Sequence, residues 1–137
     1  MKLAELPAEA RSILEHERRG VLTTVDPQGR PHAVPVCYAI VGEEILTPID
    51  AKPKSGRSLG RRRNIERDPR VTFLVDRWDE DWTRLGWVMV RGTARLEPAG
   101  RADEALVVRY PQYEDVLVGS EAIVIRPQDV LWWLWDD

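Results

Sequence analysis

Short apolar segments rich in β-branched residues recur along this chain, set apart by stretches of Asp, Pro and Gly. That spacing limits the folds open to it. GVLTTV (20–25), the turn DPQGR (26–30) and PHAVPVCYAIV (31–41) read as a β-hairpin, and Gly42-Glu43 turns the chain into a third strand, EILTPI (44–49). Pro31 and Pro35 remove ladder donors, which predicts an irregular strand or one lying at an edge. VTFLVD (71–76), WVMVRGTARLEP (87–98), EAIVIRP (121–127) and DVLWWLW (129–135) complete the strands, with RWDEDWTRLG (77–86) as a loop. Helices are predicted over 6–18, with Pro7 in the first turn, over about 57–67, stopped by Pro69, and within 99–115. Hairpin-linked strands favour an antiparallel sheet over a doubly wound parallel one, and a barrel is the natural closure for six or seven of them. The fold class is therefore mainly β with peripheral helices.

A chain of 137 residues fits one domain and can bury a core without disulfides or a structural metal. The single cysteine, Cys37, leaves no intramolecular disulfide and points to a reducing, cytoplasmic setting. The charged N-terminus has no signal-like apolar run, and no segment reaches bilayer-spanning length.

Against a net charge of −3, one segment inverts the sign. Lys52, Lys54, Arg57, Arg61, Arg62, Arg63, Arg67 and Arg70 stand between 52 and 70, opposed there only by Glu66 and Asp68. Lys52 and Lys54 lie in a Pro/Gly/Ser loop that leads into a helix N-terminus. Such a terminus attracts phosphate through its dipole and its unpaired N–H groups. Arg57 and Arg61, four apart, share a helix face and could clamp one phosphate. The same run also reads as a solvated basic helix face. A nucleic-acid surface is disfavoured, because one helix offers little positive area and no aromatic residues interleave with the arginines.

Other constellations are bland. His16, His32 and one cysteine do not make a zinc site. Cys37 and His32 alternate to opposite strand faces. The serines lack a GxSxG setting, and Asp76, Asp79, Glu80 and Asp81 lack calcium-loop spacing. Trp78, Trp82 and Trp87 are costly to leave bare and are expected to cover a ligand or a neighbouring subunit, while Trp132, Trp133 and Trp135 read as core or interface.

GVLTTVDPQGRPHAVPV (20–36), ILTPID (45–50), RRRNIERDPRVTFLVD (61–76) and WVMVRGTARL (87–96) together resemble the split β-barrel flavin/deazaflavin oxidoreductases, the pyridoxamine 5′-phosphate oxidase-like superfamily, and within it the actinobacterial F420-dependent branch. The resemblance implies a six- to seven-stranded antiparallel split β-barrel and a homodimer with cofactor sites at the subunit interface. It implies phosphate contacts from Arg61, three before the Asn of NIERDPRV, with Lys54 and Arg57 beside it. Val34, Pro35, Val36 and Cys37, and Thr47 with Pro48, Ile49 and Asp50, would line the ring system, and the Trp82–Trp87 region would reach it from the other subunit. Lys52 and Arg62 would suit the acidic tail of F420. The implied cofactor is F420, with FMN as the alternative and a cofactor-free binding protein as the third reading. The implied partner is a small organic substrate, with no nucleic acid and no membrane. No side chain is assigned as a catalytic acid, base or nucleophile, since the cofactor carries the hydride chemistry. The closing WWLWDD lacks the basic substrate motif of the pyridoxamine phosphate oxidases themselves.

Overall fold

Asp26 organises the first hairpin. One of its carboxylate oxygens accepts the backbone N–H groups of Gln28 (2.9 Å) and Arg30 (2.8 Å), and the other accepts Arg30 Nε at 2.7 Å. Gly29 supplies the left-handed turn residue at φ +76°. The flanking strands, β1 (Gly20–Val25) and β2 (Pro31–Val36), pair antiparallel from Val25↔Pro31 to Gly20↔Val36. A computed structural model describes residues 1–49, 57–114 and 121–136, and, within 57–59, the backbone only.

The remaining strands are β3 (Ala39–Val41), β4 (Glu44–Pro48), β5 (Arg70–Arg77), β6 (Gly86–Pro98) and β7 (Glu121–Leu134). All pair antiparallel in one seven-stranded sheet of order β2-β1-β5-β6-β7-β4-β3. β2 and β3 occupy opposite edges of this sheet, yet only Cys37 and Tyr38 separate them in sequence. Two residues span roughly 10 Å at most, so the sheet must curl until its edges nearly meet. The edges do not pair, and the barrel is split there. Pro31 and Pro35, which supply no ladder donor, sit on the edge strand as expected.

Two expectations about strands are corrected. The run 31–41 is two strands, because Tyr38 leaves the ladder to bury its ring against Phe73 (centroids 4.9 Å apart) and to donate from its hydroxyl to Leu14 O at 2.6 Å. Conversely, 121–127 and 129–135 form one strand. Pro127 and Gln128 are a bulge inside β7, where Arg91 pairs with Asp129 and Gly92 with Pro127.

The helices are α1 (Ala8–His16), α2 (Arg57–Arg67) and α3 (Gly100–Arg109). The first is shorter than predicted, since Pro7 caps it and Leu3–Glu5 forms a separate 3-10 turn. Alternate residues of β1, β5 and β6, among them Leu22, Phe73 and Val90, fill the barrel with Ile123 and Ile125, and Ala10, Ile13 and Leu14 of α1 close one end. α3 lays Ala102 and Leu106 over Leu46, Ala122 and Val124 on the outer face of β4 and β7, so those two strands are buried on both sides. No helix among the described residues is long and apolar enough to cross a membrane.

Candidate functional site

The basic segment folds as α2 where predicted, and its C-terminus is well defined. Asp68 N–H donates to Asn64 O (2.8 Å), Pro69 stops the helix, and the Asp68 carboxylate accepts Arg70 N (3.2 Å), Nε (3.0 Å) and Nη2 (2.7 Å). The Arg70 hydrogen bonds hold the Asp68 carboxyl down at about 2.

Four contacts bolt α2 to the barrel. Ile65 enters the core. Asn64 Nδ2 donates to Thr24 Oγ1 of β1 at 3.0 Å, with both side chains buried. Arg67 donates to Val25 O. Arg62 forms a two-point ion pair with Glu121 of β7 (3.3 and 3.1 Å) and a third bond to Glu66 at 2.5 Å. Arg62, expected at an acidic tail, thus pairs here with two carboxylates of its own chain. Arg67 and Arg70 are structural, and Arg63 is exposed.

Arg61 differs from its neighbours. It is half-buried, and its Nη2 donates to Pro48 O at the end of β4 (3.2 Å). It thus stands where the helix, the end of β4 and the start of β7 meet, since Ile49 N–H donates to Glu121 O there (3.1 Å). Pro48 and Ile49 are buried, and the hydroxyl of Thr47, fully buried, has no hydrogen-bond partner among the described residues. Asp50, Lys52 and Lys54, like the side chain of Arg57, lie outside the described residues.

The expected ring-lining residues divide by strand alternation. Val34 and Val36 face the barrel, Pro35 faces outward and is exposed, and Cys37 is half-buried against the cluster beneath α3. These four do not share a face.

Trp82 and Trp87 lie far from Arg61 within one chain. β7 begins at Glu121, ion-paired to α2, and runs 14 residues to Leu134, which pairs with Gly86 beside Trp87. At about 3.3 Å per residue that is on the order of 40 Å along the strand. Sequence reading also missed that all six tryptophans gather at that far end. Trp133 pairs with Trp87, Trp132 with Val88, and Trp135 N–H donates to Leu85 O (3.1 Å). Trp78 and Trp82 meet edge-on at 6.4 Å in the adjoining loop. The acidic residues there serve the loop itself. Asp79 binds Arg84 (2.9 Å), and Asp81 accepts Thr83 N–H (3.1 Å) and hydroxyl (2.7 Å), which lowers its pKa. Both histidines are exposed, and His16 Nδ1 lies 2.9 Å from Ser12 O.

With this geometry in hand, known proteins are informative. The chain is 33% identical over 128 residues, 89% of its length and 78% of the relative's, to a 5a,11a-dehydrotetracycline/5a,11a-dehydrooxytetracycline reductase of Streptomyces rimosus. A conserved hypothetical protein of Mycobacterium tuberculosis superposes with a TM-score of 0.75 at 26% identity, over 94% of this chain and 84% of that one. A FAD-binding protein of Mesorhizobium loti superposes at 0.68 with 20% identity, covering 93% and 94%. Residues 6–134 match the pyridoxamine 5′-phosphate oxidase family model, and the chain belongs to that family of split-barrel oxidoreductases.

Proposed function

We propose that the protein is a reductase that uses the deazaflavin F420 and acts on a small organic substrate. The observation that carries this reading is the placement of Arg61, a half-buried guanidinium at the junction of α2 with the end of β4. The residues fit such a cofactor. A basic helix offers phosphate donors, and the Thr47 hydroxyl, buried without a partner among the described residues, lies one residue from the carbonyl that Arg61 holds. Arg61, with Lys54 and Arg57 before it, would bind the phosphate, and Val34, Val36, Pro48 and Ile49 would exclude water from the ring. When bound, the cofactor supplies the hydride chemistry. The Streptomyces rimosus relative is a 5a,11a-dehydrotetracycline/5a,11a-dehydrooxytetracycline reductase, which supports hydride delivery to an organic acceptor. The resemblance of nearly the whole chain to the F420-dependent branch favours F420 over FMN.

Arg61 and the tryptophan end are too far apart to serve one site in one chain, so a homodimer is part of the proposal. The outer sheet face supports it. Val21, Leu74, Met89 and Leu131 form one apolar row across β1, β5, β6 and β7, beside Trp87 and Trp133, and the row belongs to neither packed core.

Fluorescence titration of the purified protein with F420 and with FMN tests the reading. Tight F420 binding with weak FMN binding is expected. The reverse order would replace F420 by FMN on the same fold, and no binding of either at micromolar concentration would leave a cofactor-free binding protein.

A further inference from the structure

We infer that Asn64, through its hydrogen bond to Thr24, is the positioning residue of the anion site, setting where Arg61 and the first turn of α2 stand. The inference rests on the phosphate site proposed above. Tyrosines aside, three polar side chains are buried among the described residues: Thr24 (1% exposed), Thr47 (0%) and Asn64 (5%). Two of these bond to each other across the α2–β1 contact at 3.0 Å. A buried polar pair adds little net stability over apolar groups of the same shape, because both partners lose their hydration on burial. What it adds is geometry, since one rotation and one register of the helix satisfy it. Among the described side chains of the helix, residues 60–67, Ile65 is the buried apolar one, and apolar contact alone carries no direction. Arg67→Val25 O and Arg62–Glu121 are long, partly exposed side chains that can follow a moved helix. The short Asn64 amide cannot. Arg61 stands three residues before it on the adjoining face, so the bond to β1 fixes the height and rotation from which the Arg61 guanidinium reaches the Pro48 carbonyl.

The test separates the phosphate from the rest of the cofactor. Dissociation constants for FMN and riboflavin give the factor by which the phosphate tightens binding, and those for F420 and its deazariboflavin chromophore give the factor for the phosphate together with its acidic tail. In the double variant Thr24→Val/Asn64→Leu, which removes both partners of the bond, the phosphate factor should fall tenfold or more. The affinity of the phosphate-free forms and the melting temperature should stay near wild type. Thr24→Ser keeps the hydroxyl and should keep the wild-type factor. A double variant that folds and retains the full factor overturns the inference, as does equal weakening of both forms, the signature of a merely structural role. If wild type itself shows no phosphate factor with either pair, the anion site falls and its positioning residue with it. The failure of the site thus shows in wild type, and the failure of the inference shows in the variants alone.

Discussion

Arg61 and Tyr38 are the residues whose surroundings make the sharpest demands. Arg61→Ala should weaken binding of the phosphate-bearing cofactor by about 1.5–3 kcal/mol, the scale of a charge-assisted hydrogen bond, read by the same titration. Unchanged affinity would move the phosphate site elsewhere. Tyr38 is fully buried, donates to Leu14 O (2.6 Å) at the end of α1, and carries the Arg109 guanidinium over its ring at 4.3 Å. Burial pushes its hydroxyl up to about 12, with Arg109 pulling the other way. The folded state therefore prefers the neutral phenol. Its contribution is fully present below about pH 10, where an unfolded tyrosine ionises, and is lost as pH rises toward 12. Denaturation followed from pH 9 to 12 should show a falling limb that Tyr38→Phe flattens, at a cost of about 1 kcal/mol at neutral pH. Equal slopes in the two proteins would remove Tyr38 as the cause. Neither environment is visible in sequence. Arg61 is one of three consecutive arginines, and only the fold sends Arg62 to Glu121 and leaves Arg61 at Pro48.

At the scale of elements, most boundaries were legible because alternation and turn residues are local. The Asp26 turn, the start and stop of α2, and β5 and β6 follow from neighbouring residues alone. Both errors come from reading a local pattern without the strand's partners. A proline inside a strand reads as a break whether it ends the strand or sits in a bulge, and an alternating run reads as continuous even where it changes partner. The bulge makes its own prediction. A Cβ on Gly92 would sit 2.2 Å from Arg126 O, a backbone atom that cannot swing aside. Gly92→Ala should cost about 2–3 kcal/mol and lower the melting temperature by several degrees. Gly100→Ala, whose Cβ meets no atom within 4 Å among the described residues beyond its chain neighbours and its own helix backbone, is the control and should lie within about 0.5 kcal/mol of wild type. Equal effects at both positions would show that the bulge does not need a glycine.

At the scale of the whole molecule the open matter is a second copy. Light scattering should give twice the 15.7 kDa chain mass. Leu74→Asp, placed in the apolar row and outside both cores, should shift the protein toward a folded monomer and weaken cofactor binding. A wild-type monomer with full cofactor affinity would end the interfacial site. By itself, the sequence determined the helices and most of the strands, the antiparallel class, the edge position implied by Pro31 and Pro35, and the charge inversion on α2, because each depends on residues a few positions apart. Tertiary structure alone decided that the chain crosses at Tyr38 to opposite edges of one sheet, that Arg61 rather than Arg62 stands at the end of β4, and that the tryptophans gather at the far end from the basic helix. Those outcomes depend on which strands pair and how far the sheet curls, and contacts of that range leave no local periodicity to read.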